Sequence, residues 1–187
     1  MTSSLAFAAL GLLGLDTGLA ILFLQNFGII KPKEGADLAK GQAAWFLWVA
    51  GVAELFASYY FYVAGDALDA MIFGAYGLFW MGLFALTYWS GDARVLGPVG
   101  IAYAIFTLPL IPVTAMISLT VCGIIVMLLL IFLALIPATW GKANAKVLGI
   151  LQLVCFVITS IAIIGLIFAS MSGTPLEGIG KALLFMH

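Results

Sequence analysis

The chain has 187 residues, 65% hydrophobic and 8% charged, with a net charge of −1. Soluble domains carry about 25% charged residues, and this chain has too few charges to cover a soluble surface, so an integral membrane protein is expected. No basic run or aromatic–basic interleave is present, so the sequence gives no sign of a nucleic-acid surface.

A helix needs about 20 mostly apolar residues to cross the hydrocarbon core. Residues 5–29 form the first such stretch. No Lys or Arg precedes it, so it lacks the charged region of a signal peptide and reads as an uncleaved span. The polar segment KPKEGADLAK follows. The second span is expected over residues 42–63, stopping at Gly65-Asp66, and the third over 70–89, ending at SGDAR. Residues 95–141 carry no charge and fit two spans. Pro109 and Pro112 mark the break, because proline removes a helix hydrogen bond and clashes with the preceding turn. The fourth span is then 98–111. The fifth is 114–136, closed by Pro137 and the polar WGKANAK. The sixth is 147–171, and the tail, 172–187, is expected as a short amphipathic helix along the interface. The fold class is all-α: a single transmembrane domain with six helices in a bundle.

Lys31, Lys33, Lys40, Arg94, Lys142 and Lys146 fall in the first, third and fifth connections, against Lys181 alone on the other side. The positive-inside rule puts the odd connections in the cytoplasm and both termini outside the cell membrane. Gly14 and Gly18 form a G-x-x-x-G, with Gly11, Gly74, Gly77 and Gly82 as further small positions. Such positions either bring membrane helices close together or line a pore with bare backbone.

Two carboxylates, Asp16 and Glu54, fall near span centres. Each costs about 2.5–3.5 kcal/mol to insert, and no Lys, Arg or His lies inside any expected span to pair with it. Each acid is therefore protonated against a neighbouring helix, faces a wet path, or shares a proton. Intramembrane acids usually mark solute or proton routes, which favours a functional reading. Asn26 and Gln25 stand where they would cap the first span. Gln152 either bonds to a neighbouring helix or lines a vestibule. Thr107 and Thr159 are further polar groups within spans. The aromatic cluster at 58–62 reads as an interfacial belt. The one at 73–80, with Tyr76 between glycines, suits ordinary packing or a narrow constriction. Cys122 and Cys155 read as small buried hydrophobes. There is no nucleophile–base pair, phosphate loop or metal-ligand spacing, and His187 is the only histidine. Neither an enzyme nor a metal or cofactor is expected.

The stretch LGLLGLDTGLAILFLQNFG, residues 10–28, resembles the first span of the acetate uptake transporters, the succinate-acetate permease family. It keeps L-G-L at Leu10, Gly11 and Leu12 and ends on Asn26-Phe27-Gly28, although Ala6, Phe7, Ala8 and Ala9 replace the N-P-A-P that precedes L-G-L in the family. Residues 50–80 resemble the second and third spans without a gap. The family's F-x-S-Y-G-x-F-W pattern is read there as Phe73, Gly74, Ala75, Tyr76, Gly77, Leu78, Phe79 and Trp80. The resemblance covers about the first half of the chain, to Arg94. It implies a six-helix subunit, a homo-hexamer, and a solute path through each subunit. Its narrow point is an aromatic on the first helix, the third-helix tyrosine and a fifth-helix leucine, which fall here at Leu15, Tyr76 and Leu128. Leucine replaces the aromatic at position 15. Glu54 and Asp16 stand where the family tends to have a glutamine and a small residue.

The expected function is a channel or transporter for small monocarboxylates such as acetate, without an enzymatic step. Its path residues are Leu15, Tyr76 and Leu128, and its polar or proton-sensing residues are Glu54, Asp16, Gln152 and Asn26. Ionised acids beside a low-dielectric path repel an anion, so a carboxylate is expected to cross with proton participation. The sibling family of acid-gated urea and short-chain amide channels shares the plan, and residues 149–152 (GILQ) are loosely similar to its last helix. A urea or amide channel and a non-transporting membrane scaffold subunit are the alternatives. The expected partners are the solute, membrane lipids and copies of the same chain.

Overall fold

The computed structural model describes residues 2–185, and every regular element among them is a helix. α1 spans Thr2–Asn26. The second rod is continuous but composite: α2 (Leu38–Trp45), a π-helical turn (Phe46–Gly51) and α3 (Val52–Val63). α4 spans Ala67–Tyr88. A 3₁₀ turn at Ala93–Val95 leads into α5 (Leu96–Thr107), which is followed by the short α6 (Leu110–Ala115). α7 is Leu119–Thr139, α8 is Ala145–Ser170 and α9 is Pro175–Leu184. Among the described residues, five helical stretches are long and apolar enough to cross a membrane: Ser4–Asn26, Leu38–Val63, Ala67–Tyr88, Leu119–Thr139 and Ala145–Ser170. The expected fourth span is α5, which is too short to cross alone.

Local chemistry sets the ends. Asp37, Asp66, Ser118 and Asn144 each accept a backbone N–H in the first turn of α2, α4, α7 and α8, satisfying donors that a helix start leaves free. Gly28, Gly65, Gly141 and Gly173 take positive φ in the connections, which glycine does without a Cβ clash. The first helix therefore stops at Asn26 instead of residue 29. α5 ends at Thr107, and Pro109 starts a new helix instead of ending an irregular tail. Pro112 sits inside α6 and breaks nothing. The fifth rod starts at Leu119, not residue 114, because Ser118 is its cap. Pro137 does not close α7, which continues to Thr139. A proline this near a helix end interrupts only the last turn. The tail is helical, but α9 folds back on α8, with Gly180 against the backbone of Gly165, Phe168 and Ala169. Ser118 Oγ donates to the Leu184 carbonyl, and Thr120 Oγ1 donates to that of Leu183 at 2.8 Å.

The rods close a ring. α1 packs on α8 and α3, α3 on α4, α7 on α8, and α5 on α7. Tyr103 Oη links α5 to α4 by donating to the Ala75 carbonyl at 2.8 Å. Small residues set the closest approaches. A Cβ on Gly14 would lie 2.8 Å from the Ala50 carbonyl oxygen, and Gly11 and Gly18 lie under the rings of Phe73 and Trp80. Gly77 faces the Gly51 carbonyl. These glycines pack helix on helix, the arrangement that holds membrane bundles together when lipid is as apolar as leucine. In the 58–62 cluster, Tyr59 and Tyr62 are exposed, whereas Phe61 is buried and stacks on Phe73 at 5.6 Å.

Gly14→Ala is expected to cost about 1–3 kcal/mol, because backbone cannot give way as a flexible side chain can. Thermal unfolding in detergent checks this. Gly82→Ala, which meets nothing within 4 Å, is expected to leave the midpoint unchanged or raise it slightly.

Candidate functional site

The hairpin of α3 and α4 turns at Gly65 and packs the two helices against each other. Ser58 Oγ donates to the Ala70 carbonyl at 2.6 Å, and Trp80 Nε1 donates to Glu54 Oε1 at 3.0 Å. Glu54 is 2% exposed, and its Oε2 has no hydrogen-bond partner. Trp80 is held by Phe46, whose ring stacks on it at 5.6 Å.

Glu54 lines a cavity of 210 Å³ that runs from this level toward the start of α1, the α3–α4 turn and the start of α7. Its walls include Leu12, Phe61, Phe73 and Ile124, and Asp66 and Asp69 also line it. A second cavity of 160 Å³ runs the other way, past Leu19, Trp80 and Phe132, to Asn26, Thr139 and Gln152. Three residues line both: Leu15, Tyr76 and Leu128. All three are buried. The Tyr76 ring is fixed in place. Thr107 Oγ1 uses its hydrogen on the Tyr103 carbonyl at 2.6 Å, so Tyr76 Oη is the donor in its 3.0 Å bond to Thr107. Phe132 stacks on the Tyr76 ring at 6.1 Å, and Phe106 meets it edge-on.

Asn26 and Gln152 meet in the second cavity, where Asn26 Nδ2 donates to Gln152 Oε1 at 2.7 Å. Asn26 therefore does more than end its helix, and Gln152 both bonds a neighbouring helix and lines a cavity. Asp16 lies apart from both cavities. It faces an open groove between α1, α2 and α8, where Ser160 Oγ donates to its Oδ2 at 3.0 Å and Oδ1 has no partner. Gln42 lines the same groove. Thr159, fully buried, returns its hydroxyl to the Cys155 carbonyl at 2.8 Å. Cys155 is buried and Cys122 half-buried, both as free thiols. His187 lies outside the described residues.

The chain resembles a solved structure described as that of the bacterial acetate channel SatP. The TM-score is 0.72 and the identity 23%, over 97% of this chain and 98% of that one. The two share a fold. The likeness runs through the second half of the chain, where the sequence resemblance fades. No protein-family model and no curated protein matches the chain.

Several lining residues escaped sequence reading. Trp80 was visible only as part of an aromatic cluster and of the family pattern. Its partnership with Glu54 carries no signal in the sequence, because the two stand 11 and 15 residues from Gly65. Asp66 stood only as the stop of the second span, yet it caps α4, and it and Asp69 also reach a cavity wall. Leu19 and Phe132 carry no signal that separates them from other apolar residues.

Replacing Asn26 leaves the Gln152 Oε1 that it bonds without this donor, on a side chain that is buried. Asn26→Leu alone is expected to cost about 1–2 kcal/mol. Adding Gln152→Leu recovers part of that loss. A double-mutant cycle of unfolding in detergent measures both.

Proposed function

We propose that the chain is one subunit of a membrane channel that passes small monocarboxylates such as acetate with proton participation. The observation that carries this reading is the pair of cavities meeting only at Leu15, Tyr76 and Leu128, inside a fold shared with an acetate channel. In this reading the fourth span is α5 together with α6, making six spans, with both termini outside and subunits assembled as hexamers. The basic residues of the odd connections support the orientation, and the family resemblance supports the hexamer.

Leu15, Leu128 and the Tyr76 ring form the neck. An apolar constriction sheds water and admits small, weakly hydrated solutes. Glu54 stands beside it as the proton sensor. Trp80 N–H occupies Oε1, so a proton on Glu54 sits on Oε2, the free oxygen. Protonated, Glu54 offers an O–H donor to a carboxylate or an uncharged acid in the cavity. Ionised, it repels an anion about 4 Å away by about 4 kcal/mol at an effective dielectric constant of ~20. Flux of a carboxylate therefore rises as pH falls. Asp66, Asp69 and Tyr76 are the other titratable groups lining that cavity.

Flux into proteoliposomes tests the reading. Acetate uptake that rises with an inward proton gradient is expected. Urea or acetamide flux without acetate points to an amide channel, and no flux of any of these points to a scaffold. Glu54→Gln keeps a neutral side chain with an acceptor for Trp80. Acetate transport is expected to survive in this variant with a flatter pH dependence, whereas loss at every pH contradicts the sensor role. Leu128→Ala widens the neck, and butyrate flux is expected to rise several-fold relative to acetate in the same assay.

A further inference from the structure

We infer that the two mouths of the conduit treat charge oppositely: the mouth between α1, α4 and α7 is a valence filter that passes the uncharged acid and holds back its anion, with Asp66 and Asp69 as its specificity-determining residues. This rests on the proposed conduit, and it goes further by naming the solute species and the residues that select it.

Among the described residues, the charged ones lining the first cavity are all acidic. Asp66 and Asp69 stand on the first turn of α4, and Glu54 lies deeper with Oε2 unpartnered. Among the described residues, no Lys, Arg or His lines this cavity, and Tyr76 is its remaining titratable side chain. Asp66 Oδ1 accepts the Asp69 backbone N–H at 3.1 Å, which fixes the Asp66 carboxylate at the start of α4. Asp69 lines the same cavity one turn on. Among the described residues, no Asp, Glu, Lys, Arg or His lines the second cavity, where Asn26, Gln152 and Thr139 are uncharged. The connections on that side carry six basic residues against Glu34, Asp37 and Asp92. Two of those acids are neutralised locally. Asp37 pairs with Lys40 at 3.5 Å, and hydrogen bonds from Arg94 hold the Asp92 carboxyl down at about 2.

A negative potential in a low-dielectric mouth depletes anions and concentrates protons by the same factor. The concentration of uncharged acid depends on the product of the two and is unchanged. The acidic mouth therefore selects the neutral species without binding it. A mouth without acids, below basic loops, does not deplete the anion. Glu54 adds a third negative charge when ionised and none when protonated, so Asp66 and Asp69 set the baseline on which the sensor acts.

The experiment is the acetate-to-acetamide permeability ratio of the full chain in proteoliposomes at neutral pH, for wild type and for Asp66→Asn with Asp69→Asn. Asparagine caps helices as well as aspartate does. Acetamide measured in the same vesicles cancels any difference in the amount of folded protein. The ratio is expected to rise about three- to tenfold in the double variant at ~10 mM salt, and the difference to vanish near ~1 M, where the Debye length falls to about 3 Å. An unchanged ratio at low salt overturns the inference, as does a rise that persists at high salt. Acetamide flux in wild type with acetate flux gained only in the variant upholds the filter while sinking the monocarboxylate reading. Absence of both fluxes in every sample overturns the conduit and the filter together.

Discussion

The interior is organised around one hydrogen bond, from Trp80 Nε1 to Glu54 Oε1. A buried carboxyl group without a cation is costly wherever it sits. Here one oxygen is committed to a donor that cannot accept in return, and the other is left free. That commitment joins α3 to α4 at the level where the two cavities approach each other. It also fixes the Trp80 ring, which covers Gly18 of α1 and stacks on Phe46. Three rods thus take their relative positions from contacts that converge on the same indole.

Around this centre the bundle is held by two kinds of contact. Between α1 and the second rod, and between that rod and α4, small residues let backbone approach backbone at Gly14, Gly51 and Gly77. Between α4, α5 and α7, large rings do the work instead. Tyr76, Phe79, Tyr103 and Phe132 meet at centroid distances of 5.2 to 6.3 Å, and such pairs contribute about 0.5–1.5 kcal/mol each beyond area burial. The neck lies where these two regimes meet, with Leu15 on the glycine-rich side and Tyr76 on the aromatic side. Hydrogen bonds from Tyr76 to Thr107 and on to the Tyr103 carbonyl add a directional lock to the aromatic half.

The rods were legible in the sequence because hydrocarbon thickness dictates their length, and polar breaks such as KPKEGADLAK have no place inside it. The exact ends were not, since they depend on caps. Ser118 starts α7 five residues later than apolarity alone suggests, and Pro137 is tolerated because it falls in a final turn. Within the site, Glu54 was conspicuous as a lone charge, while Leu15, Tyr76 and Leu128 entered through a family resemblance. They share two cavities, a relation that no periodicity expresses because it joins α1, α4 and α7. Asp16 had the same sequence signature as Glu54 but faces a different surface. Depth along a helix can be counted from residue numbers, whereas the direction a side chain faces depends on which helices become neighbours.

The π-helical turn at Phe46–Gly51 gives the second rod an unusual tolerance. A π turn holds an additional residue relative to an α-helix, whereas each residue of a regular α-helix rotates it by about 100°. Shortening the wide turn by one position would restore regular winding and leave the residues on either side facing as before. The same deletion in α2 or α3, which hold no spare residue, would turn one flank of the rod against the other. Registry in this rod is therefore a functional quantity, and the wide turn is a place where a residue can be lost while the acid still faces the passage it borders.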